Sequence, residues 1–123
     1  TFDAHRVAHL GAEHGLGDAI QERFLSAQLE QGEVLDDVET LVRLGAEAGL
    51  PADAIRGVLA GDAYTDEVQA DIDEARALGI NGVPFFVIDR RYGISGAQSS
   101  ELFLQALTQA RTDAAQASRI EAP

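Results

Sequence analysis

The 123-residue sequence contains no cysteine, no methionine and no tryptophan. The absence of cysteine excludes disulfides, thiolate metal sites and a cysteine nucleophile within this chain. No apolar run approaches the roughly 18 residues of a membrane span, and no basic, hydrophobic leader opens the sequence. Because the chain starts at Thr1 rather than at methionine, we expect a processed product or a fragment. With no targeting signal visible, we expect a cytoplasmic protein.

Basic residues are scarce as well. The chain has nine arginines and 21 acidic residues, which gives a formal net charge of −12 at pH 7. A surface this negative repels phosphate backbones, so we predict no nucleic-acid partner, and the lack of an apolar span predicts no membrane partner. Apolar residues make up 46% of the chain, which is enough to build the core of one domain or of parts of two.

The first 80 residues carry helical periodicity. Helices are predicted over 3–14, 18–31, 36–48 and 51–60, and a further one from Thr65 to the Leu78-Gly79-Ile80 segment, where Gly79 suits a Schellman motif. Pro51 fits the first position of its helix. The residues predicted to face inward are Val7, Leu10, Ile20, Phe24, Ala27, Val38, Leu41, Val42, Gly45, Ile55, Val58, Leu59, Val68, Ile72 and Ala75. Leu25 and Leu29 are predicted to lie beside the apolar face of the second helix.

The pattern then changes to that of a β-hairpin. Strands are predicted over Val83–Ile88 and Tyr92–Ser95, followed by a helix capped by Ser99 or Ser100 and ending near Ala117. A lone two-stranded hairpin is marginal in water. We therefore expect its edge to pair with a strand from elsewhere, to be covered by helices, or to form a homodimer with a second copy. The residues predicted to face inward from the last helix are Phe103, Ala106, Leu107 and Ala110.

Two patterns resemble reactive or metal sites. His5 and His9 share a helix face at the spacing of a helical metal pair, but no third ligand follows at a supporting spacing. An ordinary exposed face is the favoured interpretation, and we predict no metal site. The carboxylates at Asp71, Asp73 and Glu74 fall on the polar side of their helix, which predicts a solvated surface.

The Val83-Pro84 pair opens a run of strand residues. Proline lacks the N–H that a sheet ladder requires, so it is confined to strand starts, edges and bulges. Taken alone, the pair is best explained by an edge strand with a trans proline, because only about 5–6% of X-Pro bonds in folded proteins are cis.

The sequence around this proline resembles the DsbA family of thioredoxin-like proteins. The resemblance rests on a helix cluster followed by Gly79-Ile80-Asn81-Gly82-Val83-Pro84-Phe85-Phe86-Val87 and then by Tyr92-Gly93-Ile94-Ser95-Gly96-Ala97-Gln98. The opening Thr1-Phe2-Asp3-Ala4-His5-Arg6 is similar to the start of the helical insertion in the FrnE-type branch of thiol–disulfide oxidoreductases. The resemblance covers residues 1 to about 110.

The resemblance implies an α+β fold in which a helical insertion interrupts a thioredoxin domain. Residues 1–80 would be that insertion, residues 81–117 the C-terminal β-β-α part, and residues 118–123 a flexible tail. The family's Cys-x-x-Cys motif and its first strands would lie outside this chain, and they would supply the third strand that the hairpin requires. The Val83–Pro84 bond is then expected to be cis.

The resemblance also implies a mechanism and a set of binding residues. A low-pKa thiolate would face the Val83–Pro84 loop, where the backbone of Val83 pairs with an extended disulfide- or dithiol-containing protein or with a small-thiol substrate. Pro84 would hold that backbone exposed, with Phe85 or Phe86 and Gln98 as accessory contacts. The implied activity is that of a protein disulfide oxidoreductase or isomerase, with no catalytic residue in this chain and no cofactor.

Two alternatives remain open. Kappa-class glutathione transferases and 2-hydroxychromene-2-carboxylate isomerases share the architecture, and they bind glutathione partly through a polar pair after the second hairpin strand. Ala97-Gln98 occupies that place here, which weakens this interpretation while leaving Gln98 as a candidate ligand contact. The other alternative is a non-catalytic helical interaction module.

Overall fold

The computed structural model describes residues 1–121. Within that range the order of elements is α1 (Phe2–Glu13), α2 (Gly17–Leu29), α3 (Val38–Glu47), α4 (Ala52–Ala60), α5 (Thr65–Ala77), β1 (Phe85–Ile88), β2 (Tyr92–Ser95) and α6 (Ser100–Glu121). The chain is therefore α+β, as the sequence predicted. None of the helices in this range is long and apolar enough to cross a membrane.

The chain divides into two compact units, and the first extends from Thr1 to Asp73. Helices α1 to α4 pack around one core because each carries an apolar stripe at helical spacing. The side chains that are fully buried in this core are Val7, Ile20, Leu41, Leu44 and Ile55. Most of the predicted inward residues are confirmed here, whereas Leu59 and Ile72 are only half-buried, as is Ala75 of the second unit. Leu25 and Leu29, predicted beside the apolar face of α2, are 50% and 76% exposed.

The core of the first unit depends on one close approach between helices. A Cβ atom added at Gly45 in α3 would lie 2.6 Å from Cδ1 of Ile55 in α4. Glycine lets the two helices approach this closely while keeping Ile55 fully buried. The predicted inward position of Gly45 is thus confirmed, and a larger residue there would have to displace its neighbour.

Helix ends follow their local sequence in most cases. The Asp37 side chain caps α3 by accepting a hydrogen bond of 3.0 Å from the Thr40 N–H. At the end of α5 the N–H of Ile80 donates to the carbonyl of Ala75 and the N–H of Gly79 to that of Arg76, with Gly79 at φ 78°. This is the Schellman arrangement predicted for that position.

Two helix predictions for the first unit are wrong in detail. Val38, predicted to face inward, is 43% exposed because it is the first residue of α3 and stands at the open end of the helix. Pro51 is the N-cap of α4, with extended backbone at ψ 128°, rather than its first helical residue. A proline N-cap still leaves its carbonyl free to accept the first helical bond, here from the N–H of Ile55.

The second unit begins at Glu74 and contains the hairpin and α6. Strands β1 and β2 are antiparallel, with Phe85 opposite Ser95 and Ile88 opposite Tyr92. One face of the hairpin packs on α6, where the Phe86 ring meets the Phe103 ring edge-on with centroids 4.9 Å apart. Ile94 is the buried residue of the pair of strands, with 5% of its surface exposed.

The ends of the hairpin and of α6 differ from the prediction. Strand β1 begins at Phe85 instead of Val83, since the residues of the Val83–Pro84 pair precede the first ladder bonds. Helix α6 continues past the predicted end at Ala117 to Glu121, so residues 118–121 are helical; the last two residues of the predicted tail lie outside the described range. Leu107, predicted inward, is 53% exposed because the narrow two-stranded sheet covers only the face of α6 that carries Phe103 and Ala110.

Candidate functional site

The loop that leads into β1 presents an uncovered segment of backbone. Val83 is 93% exposed, and the Val83–Pro84 peptide bond is cis, the isomer expected from the resemblance. Among the described residues, neither the N–H nor the carbonyl of Val83 has a hydrogen-bond partner. The carbonyl of Pro84, by contrast, accepts a bond of 2.9 Å from the Gly96 N–H. The loop is thus anchored at Pro84 and open at Val83.

The segment that follows β2 positions the Gly96 N–H that anchors Pro84. Gly96 adopts φ 86°, a left-handed conformation that glycine accepts without steric cost. The side-chain amide of Gln98 donates to the carbonyl of Ser95 at 2.7 Å, and the Ser99 hydroxyl accepts from the Leu102 N–H at the start of α6. Gln98, predicted as an accessory ligand contact, therefore has its amide nitrogen engaged within the turn.

The two phenylalanines after Pro84 lie on opposite faces of the hairpin. Phe85 is half-buried and covers Gly93, where an added Cβ atom would lie 2.9 Å from its ring. Phe86 points towards α6 and is 44% exposed. Neither ring is fully enclosed in the described structure.

A polar cluster lies on the first unit, where sequence reasoning expected ordinary exposed faces. Nε2 of His9 and Oδ2 of Asp71 are 2.8 Å apart, and the His9 ring stacks on Tyr64 with centroids 6.2 Å apart. The Tyr64 hydroxyl donates to the Glu13 carboxylate, and this hydrogen bond, followed by partial burial, raises the pKa of Tyr64 to about 12. Asp71 is thus engaged by a histidine rather than fully solvated.

Arg6 is a buried charged residue that sequence reasoning missed. Only 6% of its surface is exposed, and its guanidinium donates to the backbone carbonyls of Val58, Gly61 and Ala63 and to the Asp3 carboxylate. The available signal was its position: Arg6 lies four residues before Leu10 and next to Val7 on the inward side of α1. A charge there requires internal partners, because an unpaired buried charge is costly.

Comparison with known proteins identifies the family. The family model for the DSBA-like thioredoxin domain matches residues 1–108. The chain belongs to the DsbA-like thioredoxin family. No curated protein matches the sequence.

A solved member of this family has the same fold over most of the chain. The crystal structure of a probable DsbA oxidoreductase from Streptomyces coelicolor is 50% identical in sequence and superposes with a TM-score of 0.83. The match covers 91% of this chain and 49% of the Streptomyces protein. The DsbA-like chain described here therefore spans about half the length of that relative.

Family membership leaves the finer predictions for the site untested. The roles of Val83, Pro84, Phe85 and Gln98, a boundary between residues 80 and 81, glutathione as a ligand, the hairpin-edge homodimer and the cytoplasmic location all stay predictions. Residues 1–121 contain no group of three or more His, Asp or Glu side chains arranged to hold a metal ion.

Proposed function

We propose that this DsbA-like chain supplies the substrate-facing part of a thiol–disulfide oxidoreductase whose catalytic dithiol lies outside the 123 residues. The family match and the 50% identity to a probable DsbA oxidoreductase support the class of reaction. The sequence contains no cysteine, and the match covers 49% of that relative. A dithiol contributed by the remainder of the full-length protein accounts for both facts.

The proposed reaction is thiol–disulfide exchange. A cysteine thiolate attacks one sulfur of a substrate disulfide, forms a mixed disulfide and releases the other substrate sulfur as a thiolate. The second cysteine thiolate of the enzyme then attacks the mixed disulfide. The substrate is released in reduced form and the enzyme retains a disulfide; the reverse sequence oxidises a substrate dithiol. In both directions the substrate must be held with its sulfur in line with the attacking sulfur.

The observation that carries this proposal is the contrast between Val83 and Pro84. The Pro84 carbonyl is fixed by the Gly96 N–H, while the backbone polar groups of the exposed Val83 have no partner in the described chain. An extended peptide can bind such groups by strand addition, which uses main-chain hydrogen bonds and tolerates varied side chains. Pro84 cannot donate a hydrogen bond itself, so Val83 is the residue that would pair with the substrate.

The hairpin and α6 also offer surfaces for a further protein segment. Within the described residues β1 pairs only with β2, so its other edge has unused backbone donors and acceptors. Phe86 of β1 and Leu104 and Leu107 of α6 are 44%, 66% and 53% exposed. A strand added to the β1 edge and a helix laid against these side chains would bury both features, and this supports a thioredoxin-like domain completed from outside the chain.

The test uses the full-length protein with the second cysteine of the proposed dithiol replaced. The mixed disulfide between the first cysteine and a peptide substrate then accumulates. Val83→Pro removes the N–H of residue 83, and we expect mixed-disulfide formation to slow by roughly 3- to 10-fold for the loss of one hydrogen bond. Val83→Thr keeps the backbone and a similar shape, and is the matched control. Equal rates for Val83→Pro and the wild type, with both folded by circular dichroism, would overturn the role of Val83.

A separate measurement tests the location of the dithiol. The 123-residue chain is expected to be inactive in dithiol-dependent insulin reduction, whereas the full-length protein is expected to be active. Insulin reduction by the cysteine-free chain, or no activity in the full-length protein, would contradict the proposed function.

A further inference from the structure

Two of the three histidines of the chain lie together beside one cavity. His5 and His9 are four residues apart on α1 and line an open cavity of about 340 Å³ between α1 and α2, together with Asp18, Gln21 and Asp71. Residues at this spacing occupy neighbouring positions on one helix face. The third histidine, His14, is the C-cap of α1 and does not line the cavity.

The His9 ring is held in one orientation by the surrounding side chains. Asp71 holds Nε2 at 2.8 Å, and Tyr64, itself hydrogen-bonded to Glu13, stacks against the ring at an interplanar angle of 13°. Nδ1 of His9 has no hydrogen-bond partner among the described residues. In metal sites a carboxylate commonly contacts the second ring nitrogen of a ligating histidine, because this contact fixes the tautomer and makes the ring a better donor to the metal.

We propose that His5 and His9 form a two-imidazole chelate for a divalent transition-metal ion such as Zn²⁺, Ni²⁺ or Cu²⁺. Imidazole nitrogens suit these ions, and the net charge of −12 attracts cations to the protein surface. The described residues provide no third ligand in position, so water would complete the coordination. The site is thus an open and exchangeable one, unlike a structural metal cage.

The test titrates ZnCl₂ into the untagged 123-residue chain at neutral pH and follows the imidazole signals by ¹⁵N–¹H NMR. The absence of cysteine makes the histidines the principal candidate ligands. We expect the signals of His5 and His9 to shift together and to saturate at one equivalent, while those of His14 stay unchanged. Isothermal titration calorimetry of the same samples gives the affinity.

Substitutions separate chelation from general attraction of cations. His5→Gln and His9→Gln should each abolish the saturable step, and His14→Gln should leave it unchanged. Asp71→Asn should weaken binding by about 10- to 100-fold through loss of the carboxylate that orients the His9 ring. His5 is exposed, so His5→Gln tests the site even if His9→Gln disturbs folding. Absence of a saturable step in the wild type, equal shifts of all three histidines, or unchanged binding by His5→Gln would overturn the proposal.

Discussion

The guanidinium of Arg6 in α1 donates a hydrogen bond to the carbonyl oxygen of Val58, near the end of α4. The same side chain also donates to Gly61 at 2.6 Å and to Ala63 at 2.9 Å. The last carbonyls of a helix have no partner within the helix. One arginine therefore satisfies the end of α4 and the loop that follows it.

Replacing Arg6 should destabilise the first unit. Arg6→Met keeps much of the side-chain volume but leaves the carbonyls of Gly61 and Ala63 without a donor among the described residues, while that of Val58 retains the Gly61 N–H. We expect the free energy of unfolding to fall by about 3 kcal/mol. Arg111→Met, at an exposed position on α6, is the matched control and should change it by no more than about 0.5 kcal/mol. Urea denaturation followed by circular dichroism measures both. Equal stability of the two variants would show that the Arg6 bonds contribute nothing net.

Alanine at Gly45 should have opposite effects in two backgrounds. In the wild type its Cβ would overlap the Cδ1 of Ile55, and the overpacking cost of about 1–3 kcal/mol should exceed the gain in helix propensity of about 1 kcal/mol. In an Ile55→Val background Cδ1 is absent and the next atom of that side chain is 3.6 Å away, so Gly45→Ala should then stabilise the protein.

Gly57→Ala is the control for this pair of measurements. Gly57 is an exposed residue within α4, and an added Cβ there meets nothing within 4 Å. It should stabilise the protein by about 0.5–1 kcal/mol in either background. A destabilising Gly45→Ala that is not relieved by Ile55→Val would place the cost somewhere other than the contact between α3 and α4.

Tyr64 should make stability decrease at high pH. Its folded-state pKa is raised to about 12, whereas an unfolded tyrosine titrates near 10. The stabilising contribution is therefore complete below about pH 10 and is lost as the pH rises towards 12. In a Tyr92→Phe variant, the ultraviolet absorbance of Tyr64 should rise with a midpoint near pH 12, and Glu13→Ala should move that midpoint towards 10. A midpoint near 10 in both variants would show that the hydrogen bond to Glu13 does not form in solution.

Local patterns were sufficient to predict much of the fold. Apolar residues at helical spacing placed Ile20, Leu41 and Ile55 in the core, and Gly79 marked the end of α5 because only a left-handed residue completes a Schellman motif. Strand β2 has the predicted bounds. These features depend on neighbours within a few residues, so the sequence determines them directly.

Features that depend on distant partners escaped prediction. Arg6 contacts carbonyls more than 50 residues away, and His9 meets Asp71 across a separation of 62 residues. No periodicity in α1 or α5 identifies such pairs. Leu107 was misplaced for a similar reason: its exposure depends on the width of the sheet beneath α6, which the helix sequence does not encode. Strand propensity and the proline singled out the Val83–Pro84 pair and the family resemblance supplied its expected role, whereas the unpaired backbone of Val83 depends on the surrounding fold.

The Schellman end of α5 sets a limit on how the Val83–Pro84 loop can vary. With Ile80 bonded back to Ala75 and Pro84 bonded to Gly96, the chain between the two anchors consists only of residues 81–83. Natural or designed variants can change side chains in this exposed link, but a deleted residue would strain one anchor. Variation in this segment should therefore alter its side chains more readily than shorten it, most simply at Val83.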